Sequence, residues 1–271
     1  MKKVLVIVVT YNGMQWLERC LGSVIGTADV YVWDNDSTDG SADYVESHFP
    51  KVKLMRSADN LGFSVPNNMG FKWAVEKGYD YVYLLNQDAW LKEGALEKLV
   101  EAAESHPEYA VLSPLQYQDG YKELDRQFAK DKPPPAAHWL VRVEALRKIG
   151  LFNEKLFPFY GQDDDWCNRA RYHRYSIGIV NEALAVHDRA QRKEPKEKII
   201  DRNYRVGSLM RLCDIRKPLA ERFLFVVLFT LVKTVKYFSF LPIKHFVGIC
   251  RQLSEVKSAR MSAKNGGTGF V

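Results

Sequence analysis

Val4-Leu5-Val6-Ile7-Val8-Val9-Thr10-Tyr11-Asn12 is the stretch on which the reading of the fold turns. Its unbroken apolar run, mostly β-branched, marks a strand buried on both faces, as in a parallel sheet, and Thr10-Tyr11-Asn12 marks where the chain leaves the core. Trp16, Leu17, Cys20, Leu21 and Val24 then recur at helical spacing. Strand then helix opens a βαβ unit, and the alternation continues. Residues 30–33, 52–55 and 81–85 read as strands, with helices from about 41 and over about 66–76 between them. A helix near 94–105 and strands near 110–112, 139–143, 177–180 and 183–186 follow, interrupted by Pro133-Pro134-Pro135. No internal repeat is visible. The expectation is an α/β chain with a mostly parallel central sheet flanked by helices.

At 271 residues the chain is long enough for one large domain with a substantial core, and 46% hydrophobic with 27% charged content excludes disorder for most of it. The net charge of +6 is unevenly placed: residues 218–271 hold eight Lys or Arg against two Glu, an excess equal to that of the whole chain. The same segment is rich in Phe, Leu and Val, a mixture that suits an anionic membrane surface. Nucleic acid is the competing polyanion, but no nucleic-acid-binding module surrounds these residues. Residues 223–232 carry no charge, yet this run is about half the length a transmembrane helix needs, and Lys233 and Lys236 interrupt its continuation. A helix lying in the membrane interface is therefore expected; the competing reading packs Leu224, Val227 and Leu231 onto the core. Residues 1–217 read as the main domain, 218–271 as a basic, amphipathic helical segment, and 265–271 as a disordered tail. Cys20, Cys167, Cys213 and Cys250 are scattered without metal-ligand spacing, which fits a reducing, cytoplasmic compartment. The N-terminal apolar run is short for a signal peptide and lacks a small-residue cleavage site.

In an open α/β sheet, ligands sit at the carboxyl ends of the strands. Four successive strands here end in polar clusters: Thr10-Tyr11-Asn12, Asp34-Asn35-Asp36-Ser37-Thr38-Asp39-Gly40, Asn60-Leu61-Gly62-Phe63 and Asn86-Gln87-Asp88. Singly, each is good turn or helix-cap chemistry. Jointly they describe a pocket with aromatic and amide groups for a base, carboxylates for ribose hydroxyls and an acidic residue for a cation. A second cluster, Tyr160-Gly161-Gln162-Asp163-Asp164-Asp165, precedes a helical stretch. Complementing a helix dipole accounts for one of its carboxylates well and for three poorly.

These motifs, with Asn67-Asn68-Met69-Gly70 and Leu84-Leu85 before Asn86, resemble in order and spacing those of family 2 glycosyltransferases of GT-A (Rossmann-like) fold. The resemblance covers about residues 3–190 and is strongest to bacterial rhamnosyltransferase-like members that build surface polysaccharides. It implies a nucleoside-diphosphate sugar donor, dTDP-rhamnose or a UDP-hexose, held by Thr10, Tyr11, Asn12, Asp34, Asn35, Asn60, Gly62, Asn67, Asn86, Gln87 and Asp88. It further implies Mg²⁺ or Mn²⁺ on Asp88 and His187, with Asn86 where the family's metal motif has its first carboxylate. Gln162 stands where Glu is usual, and either Asp163 or Asp165 is the implied catalytic base. The expected activity is inverting transfer to a hydroxyl of a lipid-linked glycan at the cytoplasmic face of the membrane. Two other readings compete with this one. A nucleotidyltransferase would show a Gly-rich basic loop after the first strand, and none is present. A catalytically impaired nucleotide-sugar-binding or scaffold subunit is suggested by Gln162 and Asn86.

Overall fold

A computed structural model describes residues 2–118, 122–124, 133–188, 196–237 and 239–266, with backbone alone at 196–201 and 237. The first half alternates as expected: β1 (Val4–Thr10), α1 (Met14–Gly22), β2 (Asp29–Asp34), α2 (Ser41–His48), β3 (Lys53–Arg56), α3 (Ser64–Glu76) and β4 (Tyr81–Asn86). Then come β5 (Ala89–Leu91), α4 (Ala95–Ser105), β6 (Tyr109–Gln118), β7 (Glu123–Leu124), β8 (His138–Arg142), α5 (Val143–Ile149), α6 (Gln162–Tyr172) and β9 (Ser176–His187). Four helices finish the described chain: α7 (Lys196–Cys213), α8 (Leu219–Tyr237), α9 (Leu241–Arg251) and α10 (Leu253–Lys264).

The strands form one sheet in the order β3-β2-β1-β4-β8-β6-β9-β5, with β7 paired to β6. From β3 to β4 every pairing is parallel; β8 then enters antiparallel to both β4 and β6. Burial on both faces explains why β1 reads as a continuous apolar run. Its side chains alternate between layers: Val4, Val6 and Val8 join α1, α2 and α4, while Leu5 and Ile7 join α3, α5 and α6. The two strands expected at 177–180 and 183–186 are one strand, β9, whose register against β6 skips from Pro114↔Val180 to Leu115↔Leu184. The apolar end of the stretch expected as strand at 139–143 instead starts α5, because Val143 begins a helix that packs Ala145, Leu146 and Ile149 inward.

Between α7 and α10 lies a third apolar cluster containing Leu156, Phe157, Leu209, Leu212, Val226, Ile249 and Val256. Arg260 on α10 donates to the carbonyls of Leu212, Asp214 and Lys217, so the helices on either side of residue 217 share one packing unit. In α8 Leu219, Phe223, Val226 and Phe229 pack inward, whereas Leu224 and Leu231, expected inward on the core-packing reading, are 59% and 53% exposed. Among the described residues no helix is long and apolar enough to cross a membrane. Residues 267–271 of the expected disordered tail lie outside the described residues.

Candidate active site

The chain runs β1, β2, β3 in one direction across the sheet and returns through α3 to place β4 on the other side of β1. That reversal opens a crevice at the carboxyl ends of β1 and β4, the usual ligand position in such sheets. Register places the polar ends side by side, Thr10 opposite Asp34 and Val9 opposite Asn86. Three of the sequence clusters thus meet at one edge.

Much of the cluster chemistry goes into shaping the crevice. Gln87 Oε1 accepts the Thr10 hydroxyl at 2.8 Å and the Tyr11 amide at 2.7 Å, and its Nε2 donates to the Tyr11 carbonyl. Asn12, at φ 49°, accepts the Thr38 amide and donates its own amide to Ser37. Asp39 accepts the Met14 and Ser41 amides; burial pulls its carboxyl upward, but these bonds and the Ser41 hydroxyl hold it below the ordinary range. Asn35 spends its carboxamide on Trp33, Leu61 and Gly62, anchoring the 60–63 loop to the end of β2. Asn60 accepts the Gly62 amide, and Asn67 donates back to the Phe63 carbonyl inside α3. Tyr11 stays 47% exposed at the crevice mouth. Asp34 is different: Oδ1 accepts the Ser37 amide, while Oδ2 is buried without a hydrogen-bond partner among the described residues. A buried acceptor in that condition is costly unless a ligand N–H or O–H completes it.

Asp88 lies between β4 and β5 and is fully buried. Antiparallel pairing of β5 with β9 brings His187 from the far end of the chain, with Nε2 at 3.5 Å from Asp88 Oδ1 and 3.5 Å from the Asn86 side-chain amide. Two neighbours carried no sequence signal. Asp188 donates its backbone amide to the Asp88 carbonyl and accepts the Trp16 indole N–H, tying α1 to both strand ends. His138 is wholly buried between the Tyr83 hydroxyl and the Val186 carbonyl, edge-on to the His187 ring. Lone residues at strand ends have no periodicity to betray them. Burial, and then the charge of Asp88, push the nearby Cys20 thiol far up, which keeps it protonated.

Among the described residues no group of three or more His, Cys, Asp and Glu side chains forms a metal cluster. Asp88, Asn86 and His187 nevertheless make a mixed oxygen and nitrogen donor set, and a divalent ion that bridges phosphates ordinarily draws its remaining ligands from phosphate oxygens and water. The residues fit such an ion.

The acidic run starts α6, and its three carboxylates diverge. Asp165 is 4% exposed and ion-paired with Arg169 at 3.0 Å; Arg169 also caps the Ile149 and Leu151 carbonyls. Burial pushes the Asp165 carboxyl up against the pull of Arg169. Asp163 is only half-buried and accepts the Asp164 amide at the start of the helix. The segment before α6 is pressed onto the 60–64 loop: the Pro158 carbonyl accepts the Phe63 and Ser64 amides, and the Ser64 hydroxyl donates to Phe157. Gly62, at φ 80°, is needed there because a Cβ would meet the Pro158 oxygen at 2.6 Å. One loop therefore joins the crevice, through Asn35, to the base of α6.

The chain is 30% identical over 106 residues to an undecaprenyl-phosphate mannosyltransferase of Micrococcus luteus, an alignment covering 37% of this chain and 44% of that protein. It is 30% identical over 122 residues to an N-acetylglucosaminyl-diphospho-decaprenol L-rhamnosyltransferase of Mycobacterium tuberculosis, covering 41% and 40%. The chain thus spans less than half the length of these curated relatives. Its fold is similar to that of TarS from S. aureus, at 18% identity and TM-score 0.58, over 82% of this chain and 68% of that one. It is likewise similar to GalNAc-T7 solved with UDP, GalNAc and Mn²⁺, at 15% identity and TM-score 0.58, over 77% and 48%. These likenesses show the GT-A fold. Residues 5–162, from the first strand to the threshold of the acidic run, match Glycosyl transferase family 2, and the chain belongs to that family.

Proposed function

We propose that the chain is an inverting glycosyltransferase that moves a sugar from a nucleoside diphosphate, dTDP-rhamnose or a UDP-hexose, to a hydroxyl of a lipid-linked glycan in bacterial surface polysaccharide synthesis. The observation that carries this reading is the switch-point crevice, where buried Asp34 and Asp88 stand at the ends of β2 and β4, on either side of β1. Asp34 Oδ2 would accept a nucleoside N–H or O–H, and Tyr11 would cover the base. Asp88, His187 and Asn86 would hold Mn²⁺ or Mg²⁺, the imidazole favouring Mn²⁺. When bound, such an ion stabilises negative charge growing on the diphosphate. Asp163 takes the proton of the acceptor hydroxyl as its oxygen bonds the anomeric carbon and the bond to the diphosphate breaks on the opposite face. Asp165, committed to Arg169, is assigned a structural role. The lipid-linked acceptor is supported by the names of the two curated relatives, both polyprenol-dependent. Peripheral contact with the inner membrane face is supported by α8, whose outward Leu224, Phe225, Leu228, Leu231 and Val232 are 44% to 62% exposed beside Lys233 and Lys236.

A donor screen tests the reading. Purified protein receives Mn²⁺ or Mg²⁺, UDP-, dTDP- and GDP-sugars, and octyl N-acetylglucosaminyl diphosphate as acceptor, and released nucleoside diphosphate is measured for wild type and Asp88→Ala. Release from one donor, lost in Asp88→Ala, is expected. No release from any donor, even with membrane lipid extract as acceptor source, would move the assignment to a nucleotide-sugar-binding subunit, the reading that Gln162 in place of Glu favours.

A further inference from the structure

The surface just before Asp163 carries aromatic rings that packing does not require. Phe159 is 50% exposed and Tyr160 45% exposed, while Phe157 and Gly161 on either side are buried. Their backbone is held from two directions. Pro158 is hydrogen-bonded to the 63–64 amides, and Gly161, at φ 88°, sits so close to α7 that a Cβ would meet Val206 Cγ1 at 2.5 Å. Leu61, 37% exposed, precedes Gly62, where a Cβ would lie 3.1 Å from the Phe159 ring, so the apolar surface extends to the loop of the crevice. The Arg202 guanidinium of α7 lies over Tyr160 at 4.0 Å from the ring centroid. Stacking of this kind uses the face of a guanidinium, whereas its five in-plane N–H groups are the part that recognises oxyanions.

We infer that Phe159, Tyr160 and Arg202 form the acceptor subsite: the rings stack on the apolar face of the sugar bearing the attacking hydroxyl, and the guanidinium takes the phosphate that links this sugar to its carrier. This rests on the transferase reading above. The attacking hydroxyl must come within hydrogen-bond reach of Asp163. The acceptor therefore lies on the surface around the start of α6, and that surface is aromatic on a rigid turn, with a cation beside it. A sugar ring offers one C–H face and polar edges, so aromatic rings can hold it without engaging its hydroxyls. The adjoining positive charge selects an anionic, phosphate-linked acceptor over a neutral glycan.

The test compares octyl N-acetylglucosaminyl diphosphate with octyl N-acetylglucosaminide, using the donor that wild type accepts. Wild type is expected to show the lower KM for the diphosphate. Tyr160→Ala raises KM for both acceptors by about tenfold, the scale of one aromatic contact, and Tyr160→Phe restores it. Arg202→Gln raises KM for the diphosphate alone and erases the preference. Calorimetric titration with nucleoside diphosphate shows that each variant is folded. Variants that bind nucleotide yet keep wild-type KM for both acceptors, or lose kcat alone, overturn the subsite and leave the transferase reading standing. Absence of nucleotide release by wild type from any donor overturns both.

Discussion

Around the ends of β1, β2 and β4, side-chain amides and hydroxyls are matched to one another: Gln87 with Thr10 and Tyr11, Asn12 with Ser37 and Thr38, Asn35 with Leu61 and Gly62. On α8 and α9 the matching stops at the inner face. Val226 and Ile249 are buried, while Val235, Phe240 and Val247 stand 71%, 81% and 46% exposed. The crevice is a frame held by hydrogen bonds between side chains and backbone, whereas the helical segment packs one face inward and turns another, apolar face to solvent. Geometry in the first region is fixed by hydrogen bonds. The second presents solvent-facing apolar area, of the kind that marks interaction sites on folded proteins.

The largest expected effect lies at the start of α6, between these regions. Asp163→Asn should slow transfer about 10²–10⁴-fold with nucleotide affinity retained, as read by turnover and titration. Equal loss of both would place Asp163 within the frame instead. Asp165→Asn should act the other way, leaving Arg169 buried and unpaired and costing about 3–5 kcal/mol in denaturant unfolding. If it lost activity at unchanged stability, the division of roles between the two carboxylates would be reversed. Gly62→Ala should cost about 1–3 kcal/mol, because the positive φ and the Pro158 oxygen both oppose a Cβ. A smaller loss would show the loop between crevice and α6 to be pliant. The double substitution Leu228→Glu with Val232→Glu should move unfolding by less than about 0.5 kcal/mol, since both side chains face solvent. The same protein should lose partitioning onto anionic vesicles in a sedimentation assay, and unchanged partitioning would break the comparison on its membrane side.

The order of strands and helices through β4 was legible because a parallel strand buried on both faces has to be apolar throughout, and the helices between carry their own period. Family membership was legible for a related reason: crevice loops occur at strand ends in chain order, so Thr10-Tyr11-Asn12, Asp34-Asn35 and Asn86-Gln87-Asp88 could be read as a set. The tertiary structure alone decided which hydrogen bonds each of these residues makes. Asn35 and Gln87, plausible ligand groups by type, are consumed as braces, because their partners are backbone groups that no pattern of side chains reveals. Asp163 and Asp165, alike in sequence, were separated by helical geometry, which buries one beside Arg169 and leaves the other half-exposed. The family resemblance had already set Asp88 with His187, but Asp188 beside them came from β9 ending next to β5, and His138 from β8 pairing with β4. Contacts across so many residues depend on sheet pairing, and strand periodicity carries no information about which strand will be the neighbour.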